Sequence, residues 1–264
     1  MQKRPIVVKI GGSTLGSHDT TLEDLVQLQK QGKSLVVVHG GAKVTTEWLA
    51  RLDIPTTFVN GLRITDAETL KVVAAALAGL VNKELVVGIE ALGGKAVGLS
   101  GCDGNLLWAS VKSPELGYVG EIVAVDPGPL NVLLDAGYMP VVAPLSFGSV
   151  EGRIMLLNVN GDTAAGEIAA ALAAEKLIFL TDVDGVCNAE GQVIPRLNLA
   201  QAREVLASGV ASGGMIPKIE ASLRALTATK VVRIIDGRAP GALLGEVTAK
   251  SHQTRSRGTT IVSK

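Results

Sequence analysis

Twice near its start the chain runs from a short β-branched segment into a glycine pair and then into an amphipathic stretch. Ile6-Val7-Val8-Lys9-Ile10 leads into Gly11-Gly12 and a helical segment from Leu22 to Lys30. Leu35-Val36-Val37-Val38 leads into His39-Gly40-Gly41 and a helical segment through Trp48 to Arg51. Continuous apolar runs of this length suit strands buried on both faces, with helices covering a mainly parallel sheet. The alternation continues, with strands expected at 97–99, 139–143, 177–180, 231–235 and 259–262. Helices are expected from Asp66, as N-cap, toward Glu90, then over 127–136, 161–173, 199–207 and 216–226. Pro127 and Gly137 bracket the second of these in the usual order, Pro at the start and Gly past the end. The segment 106–125, with Gly117 and Gly120, reads as a hairpin that makes the sheet mixed. The expected fold is a three-layer α/β/α sandwich around a central, mainly parallel sheet. A soft boundary near 160–175 separates an N-terminal lobe, 1–174, from a C-terminal lobe, 175–264.

Composition narrows the function. The 264 residues carry 25 Lys plus Arg and 25 Asp plus Glu, with only Trp 2, Tyr 2 and Phe 3 among aromatics. Without a basic field or stacking platforms, nucleic acid is a poor partner. Cys102 and Cys187 form no CxxC, and His18, His39 and His252 stand apart, so no protein metal site is expected. Two separate thiols suit a reducing cytoplasm. Lys9 interrupts the first apolar run too early for a signal peptide, and Val72 to Val81 is about half a bilayer span. A soluble protein with no membrane partner is expected, with the Val72–Val81 run buried in a core or a subunit contact.

Glycine pairs after strands let backbone N–H groups converge on an anion at the ligand-binding edge of an open α/β sheet, although a tight turn takes glycine too. Neither pair completes G-x-G-x-x-G. Gly32-Lys33-Ser34 lacks the P-loop's first glycine, where Gln27 stands, and Cys102 breaks the nucleophile-elbow pattern after Gly98-Leu99-Ser100-Gly101. Lys9 sits at that same sheet edge, where a snorkelling lysine is the plain alternative. Lys218 opens a helix after Gly213-Gly214-Met215-Ile216-Pro217; the helix dipole disfavours a cation there, which implies an anionic partner. Asp162, after Asn158-Val159-Asn160-Gly161, reads by itself as a helix cap.

Taken together, these segments resemble the amino acid kinase family, and within it the branch that phosphorylates N-acetyl-L-glutamate. The matching pieces run from Val8-Lys9-Ile10-Gly11-Gly12 to Gly258-Thr259-Thr260-Ile261. The more specific ones are Asn60-Gly61-Leu62-Arg63 and Asn158-Val159-Asn160-Gly161-Asp162. The resemblance implies transfer of a phosphoryl group from ATP, with Mg2+, to the side-chain carboxylate of the acetylated amino acid in arginine biosynthesis. It implies that Lys9 and Lys218 flank the transferring group, that Asp162 orients both, and that Gly12 and Gly41 offer backbone N–H groups to it. Arg63, Asn158 and the Gly41-Ala42 backbone would hold the acceptor. Thr181, Asp182, Val183, Asp184, Gly185, Val186 and Cys187 would surround the nucleotide with Val210, Ala211, Ser212, Gly214 and Met215. Relatives also imply a homodimer through the N-terminal halves, and a first strand at Ile6 implies no N-terminal helix for arginine feedback. Ala42 stands where many relatives have a third glycine, and Gly161 where alanine is usual. The competing readings are an aminoadipate kinase acting on a carrier-linked acceptor, and a non-catalytic nucleotide or amino-acid sensor.

Overall fold

The β-branched runs become strands with almost no exposed side chain, as a sheet covered on two faces requires. The protein is described by a computed structural model over residues 4–11, 20–59, 61–249 and 258–264. β1 (Ile6–Ile10), α1 (Thr21–Lys30), β2 (Leu35–His39) and α2 (Ala42–Arg51) open the chain. A short ribbon, β3 (Phe58–Val59) and β4 (Leu62–Arg63), leads into α3 (Ala67–Ala74). That helix continues through a π-helical segment, Ala75–Val81, into α4 (Asn82–Ala91). There follow β5 (Ala96–Ser100), β6 (Leu107–Val111), β7 (Gly120–Val125), α5 (Gly128–Asp135), β8 (Met139–Ala143), β9 (Leu145–Val150), β10 (Arg153–Asn158) and α6 (Gly161–Ala171). The chain closes with β11 (Lys176–Thr181), β12 (Arg196–Asn198), α7 (Leu199–Ala207), α8 (Met215–Ala225), β13 (Val231–Asp236), α9 (Ala242–Thr248) and β14 (Thr259–Val262).

The central sheet has eight strands in the order β12-β14-β13-β11-β1-β2-β8-β5. From β13 to β5 neighbouring strands are parallel, while β14 runs against β13 and carries β12 with it. The sheet is therefore mixed, but not through the 106–125 hairpin. β6 and β7 do pair antiparallel, yet they join β9 and β10 in a separate four-stranded sheet. Their side chains alternate buried and exposed, the mark of a sheet covered on one face, whereas the central strands are buried throughout.

Period-2 alternation divides the core between the two faces of the central sheet. Val7, Val36, Val38, Leu177 and Phe179 pack under α6 and α8, with Ala165, Ile168, Ile219 and Ala225. Ile6, Val8, Ile10, Leu35, Val37 and Ile178 pack under α1 and α4, with Leu25, Leu28, Leu85 and Ile89. Successive strand side chains point to opposite faces, so Lys9 shares the face of Val7 and points toward α6. The helix Ala67–Ala91 is by length and composition able to cross a membrane. Here Val73, Leu77, Val81, Leu85 and Ile89 form its buried stripe, while Ala75 and Gly79 remain exposed.

Candidate active site

Lys9 lies near the end of the central strand β1, between Phe179 of β11 and Val38 of β2. Its Nζ is 2.6 Å from Oδ1 of Asp162. Asp162 stands in the first turn of α6, but it is not the cap. The Asn160 side chain takes that role, accepting from the N–H groups of Asp162 at 2.8 Å and Thr163 at 3.1 Å. The Asp162 carboxylate is thereby left to side chains. Its Oδ2 lies 3.1 Å from Nζ of Lys218, which also donates to the Gly214 carbonyl at 3.2 Å. The two elements that carry Asp162 and Lys218 can come this close because Gly166 of α6 meets Ala221 of α8. A Cβ at Gly166 would sit 2.6 Å from the Ala221 carbonyl oxygen. Burial alone would raise the Asp162 carboxyl; the ammonium groups of Lys9 and Lys218 outweigh it and hold the carboxyl below its ordinary range.

A cleft opens from Lys9 and Asp162 toward the β3–β4 ribbon. Gly41, Ala42, Arg63 and Asn158, four of the expected acceptor residues, line it. The buried Arg63 donates to the Ala42 carbonyl at 3.1 Å and to the hydroxyls of Thr46 at 2.8 Å and Thr56 at 3.3 Å. Its guanidinium carbon is 4.6 Å from the Phe58 ring centroid. Burial pulls its pKa below the ordinary value. Among the described residues no carboxylate pairs with it, so a buried cation with donors to spare faces the cleft. Asn158 is oriented by Thr65, whose hydroxyl accepts from its Nδ2 at 3.0 Å and donates to the Arg63 carbonyl at 2.8 Å.

The two glycine pairs behave differently. Gly11 donates to the Leu180 carbonyl at 3.1 Å and so extends the β1–β11 ladder. Gly12 lies outside the described residues. Gly41 begins α2 without a side-chain cap, and its own N–H has no partner among the described residues. A helix dipole and an N–H without a partner among the described residues are features that suit an anion.

The residues expected around the nucleotide lie apart from this cleft, beyond Lys218. Thr181 ends β11, and the exposed Asp182, Val183 and Asp184 follow it. Gly185 packs against Thr259, and the side chains of Val186 and Ala211 are in the core, so only their backbones face outward groups. Cys187, Val210, Ser212 and Gly214 are exposed, and Met215 is half-buried at the start of α8. The two regions meet at the ribbon turn, where a Cβ on Gly61 would come 3.7 Å from the Gly213 carbonyl oxygen. Reading by residue type passed over His39, Asn82, Thr65 and Thr46. His39 looks isolated in the sequence, and only the fold sets it beside Asn82.

The profile of the amino acid kinase family matches residues 4–236. An acetylglutamate kinase of Dehalococcoides mccartyi is 45% identical over 262 residues, covering 98% of this chain and 94% of that protein. One from Jannaschia sp. is 47% identical over 246 residues, covering 92% and 85%. The solved structure of smu.665 from Streptococcus mutans superposes with a TM-score of 0.82, at 30% identity and 98% of both chains. Two lysines bridged by one buried carboxylate at the end of a parallel sheet are thus set in a familiar framework: the chain belongs to the amino acid kinase family.

Proposed function

We propose that the chain transfers the γ-phosphoryl group of ATP to the side-chain carboxylate of N-acetyl-L-glutamate, a phosphorylation of arginine biosynthesis. The observation that carries this reading is Asp162, which holds Lys9 at 2.6 Å and Lys218 at 3.1 Å at the head of a cleft lined by Arg63, which has no carboxylate partner among the described residues. The triad carries one net positive charge where two anions must approach. The names of the curated relatives support the choice of acceptor.

The acceptor's α-carboxylate pairs with Arg63, whose planar fork matches it, and Asn158 holds the rest of that substrate. An oxygen of its side-chain carboxylate attacks the γ-phosphorus while the bond to the β–γ bridging oxygen breaks, and that electron pair leaves on ADP. No general base is needed, because a carboxyl of pKa about 4.3 is already ionised at neutral pH. Lys9 lines the cleft and offsets charge on the acceptor side. Lys218, bonded to Gly214, does so on the ATP side, where 181–187 and 210–215 take the nucleotide. Gly41 and Gly12 add backbone N–H groups to the phosphoryl oxygens. Magnesium would arrive with ATP, whose phosphate oxygens suit a hard cation and whose charge it would help offset.

The same reading gives acceptor binding to 1–174 and ATP binding to 175–264, in one sheet that both parts build. It includes a cytoplasmic homodimer, and Ala75, Gly79 and Val87 are exposed apolar positions on the 67–91 helix. The test is ADP release measured with and without free N-acetyl-L-glutamate. Release that depends on this acceptor is expected; none with it, or release only with a carrier-linked aminoadipate, refutes the reading.

A further inference from the structure

His39 ends β2, is fully buried, and has no part in the chemistry described above. Its Nδ1 lies 2.8 Å from the carbonyl oxygen of the next residue, Gly40. A carbonyl only accepts, so Nδ1 carries the hydrogen and Nε2 is left as an acceptor. Asn82, the first residue of α4, meets that need, with its Nδ2 3.2 Å from Nε2. The Asn82 amide cannot be turned the other way round. Its Nδ2 also donates to the Val141 carbonyl at 2.8 Å, and its Oδ1 accepts from Lys83 Nζ at 3.0 Å. Lys83 is anchored in turn on the Gly98 carbonyl at 3.1 Å, and a side chain at Gly98 would overlap Asn82 Oδ1. Burial lowers the imidazole pKa to about 4, and the nearby Lys9 and Lys83 cations push the same way, so the ring is neutral.

The consequence lies on the far side of the peptide. No peptide bond among the described residues is cis, and in a trans peptide C=O and N–H point in opposite directions. With the Gly40 carbonyl turned to the ring, the Gly41 N–H is turned away from it, and Gly40 and Gly41 both line the cleft. Flanking atoms are pinned as well: Gly40 N–H donates to Ile10 at 3.0 Å, and the Gly41 carbonyl accepts from the Thr45 N–H and hydroxyl, each at 3.0 Å. The peptide between two glycines is otherwise free to rotate, since neither residue has a Cβ to resist it. A flip would replace a donor by a carbonyl oxygen facing the phosphoryl group.

We infer that His39, oriented by Asn82, is a positioning residue that locks the Gly40–Gly41 peptide with its N–H toward the transferring phosphoryl group. The inference rests on the phosphoryl-transfer reading, and its test separates the two. In His39→Ala, kcat should fall about 10- to 100-fold, the scale for losing a partner that orients a reacting group, with both KM values within about threefold. His39→Asn, whose Nδ2 matches the position of Nδ1 and can still donate to Gly40, should recover most of that loss. A merely structural histidine would lower the melting temperature and leave kcat unchanged below it, and that result overturns the inference. Should His39→Ala not fold, Asn82→Ala carries the same expectation. If the wild type shows no acetylglutamate-dependent ADP release, the function reading fails, and amide NMR decides on the lock itself. The ring nitrogens should then report hydrogen on Nδ1, with the Gly41 amide signal shifted in His39→Ala and restored in His39→Asn. An Nε2–H ring or an unmoved Gly41 signal overturns it.

Discussion

Replacing Asp162 by asparagine removes the charge that joins the two lysines while conserving volume, so no cavity term enters. The distances of 2.6 and 3.1 Å correspond to roughly 5–6 kcal/mol of Coulomb attraction each at an effective dielectric of about 20, before desolvation is subtracted. Removing one partner of a buried ion network costs about 3–5 kcal/mol net, because the charges left behind stay desolvated. Here two like charges are left, and the asparagine NH2 faces one of them. The expected loss in urea unfolding at neutral pH is therefore about 3–5 kcal/mol with an unchanged m value. For a chain of this size that corresponds to a melting temperature lower by about 6–20 °C. The sign of the pH dependence follows from the depressed folded pKa of Asp162. Its contribution is complete above the ordinary carboxylate value of 3.8 and is lost as pH falls through the lower folded value. The gap between wild type and variant should thus stay flat from neutral pH down to about 4 and close only below it. Activity should fall with it, by about 10²–10³ in kcat. A variant within about 1 kcal/mol of wild type would show that Asp162 does not hold the lysines, and the reasoning would fail.

Arg63→Ala should raise the KM for N-acetyl-L-glutamate by about 10- to 100-fold, the worth of a charge-assisted pair, and leave that for ATP nearly unchanged; steady-state kinetics with each substrate varied will show it, and equal effects on both would place the arginine elsewhere. Arg63→Lys should not restore binding, because a lysine cannot present the fork. His39, with a folded pKa of about 4 against an ordinary 6.5, contributes stability that is complete above pH 6.5 and lost as pH falls through that window. The slope should reach about 1.4 kcal/mol per pH unit and vanish in His39→Gln, as followed by urea titrations. Gly41→Ala would place a Cβ 2.5 Å from Leu77 Cδ2, so it should cost about 1–3 kcal/mol through overpacking. Leu77→Ala should relieve part of that, and a double-mutant cycle showing simple additivity would contradict the contact.

The central strands were legible because each is a short apolar run buried on both faces, a pattern that needs no partner to be recognised. Asp66 was equally plain as a cap, and its side chain does accept from the Thr69 N–H at 2.7 Å. The β9–β10 hairpin was not legible. Its two-residue turn is Glu151-Gly152, both with positive φ (50° and 79°), and glutamate at the first position hides a turn that Asn-Gly would have announced. The hairpin 106–125 was found but given to the wrong sheet, since pairing between distant strands such as β6 and β9 is set by packing over a shared core. Nor does any residue pattern mark the π-helical turn at 75–81. In the site, Lys9, Asp162 and Lys218 stood out by residue type and position, yet Asp162 was indistinguishable from a cap until Asn160 was seen to fill that role. His39 and Asn82 are 43 positions apart, and only the fold makes them neighbours.

Phosphoryl transfer in this cleft requires both amines to act on one group. A crystal structure with ADP, magnesium, a planar phosphoryl mimic such as tetrafluoroaluminate, and N-acetyl-L-glutamate tests this most directly. The nitrogens of Lys9 and Lys218 should each lie about 2.7–3.2 Å from the mimic, with Asp162 still between them. A mimic bound elsewhere, or one of the two lysines turned away from it, would contradict the mechanism.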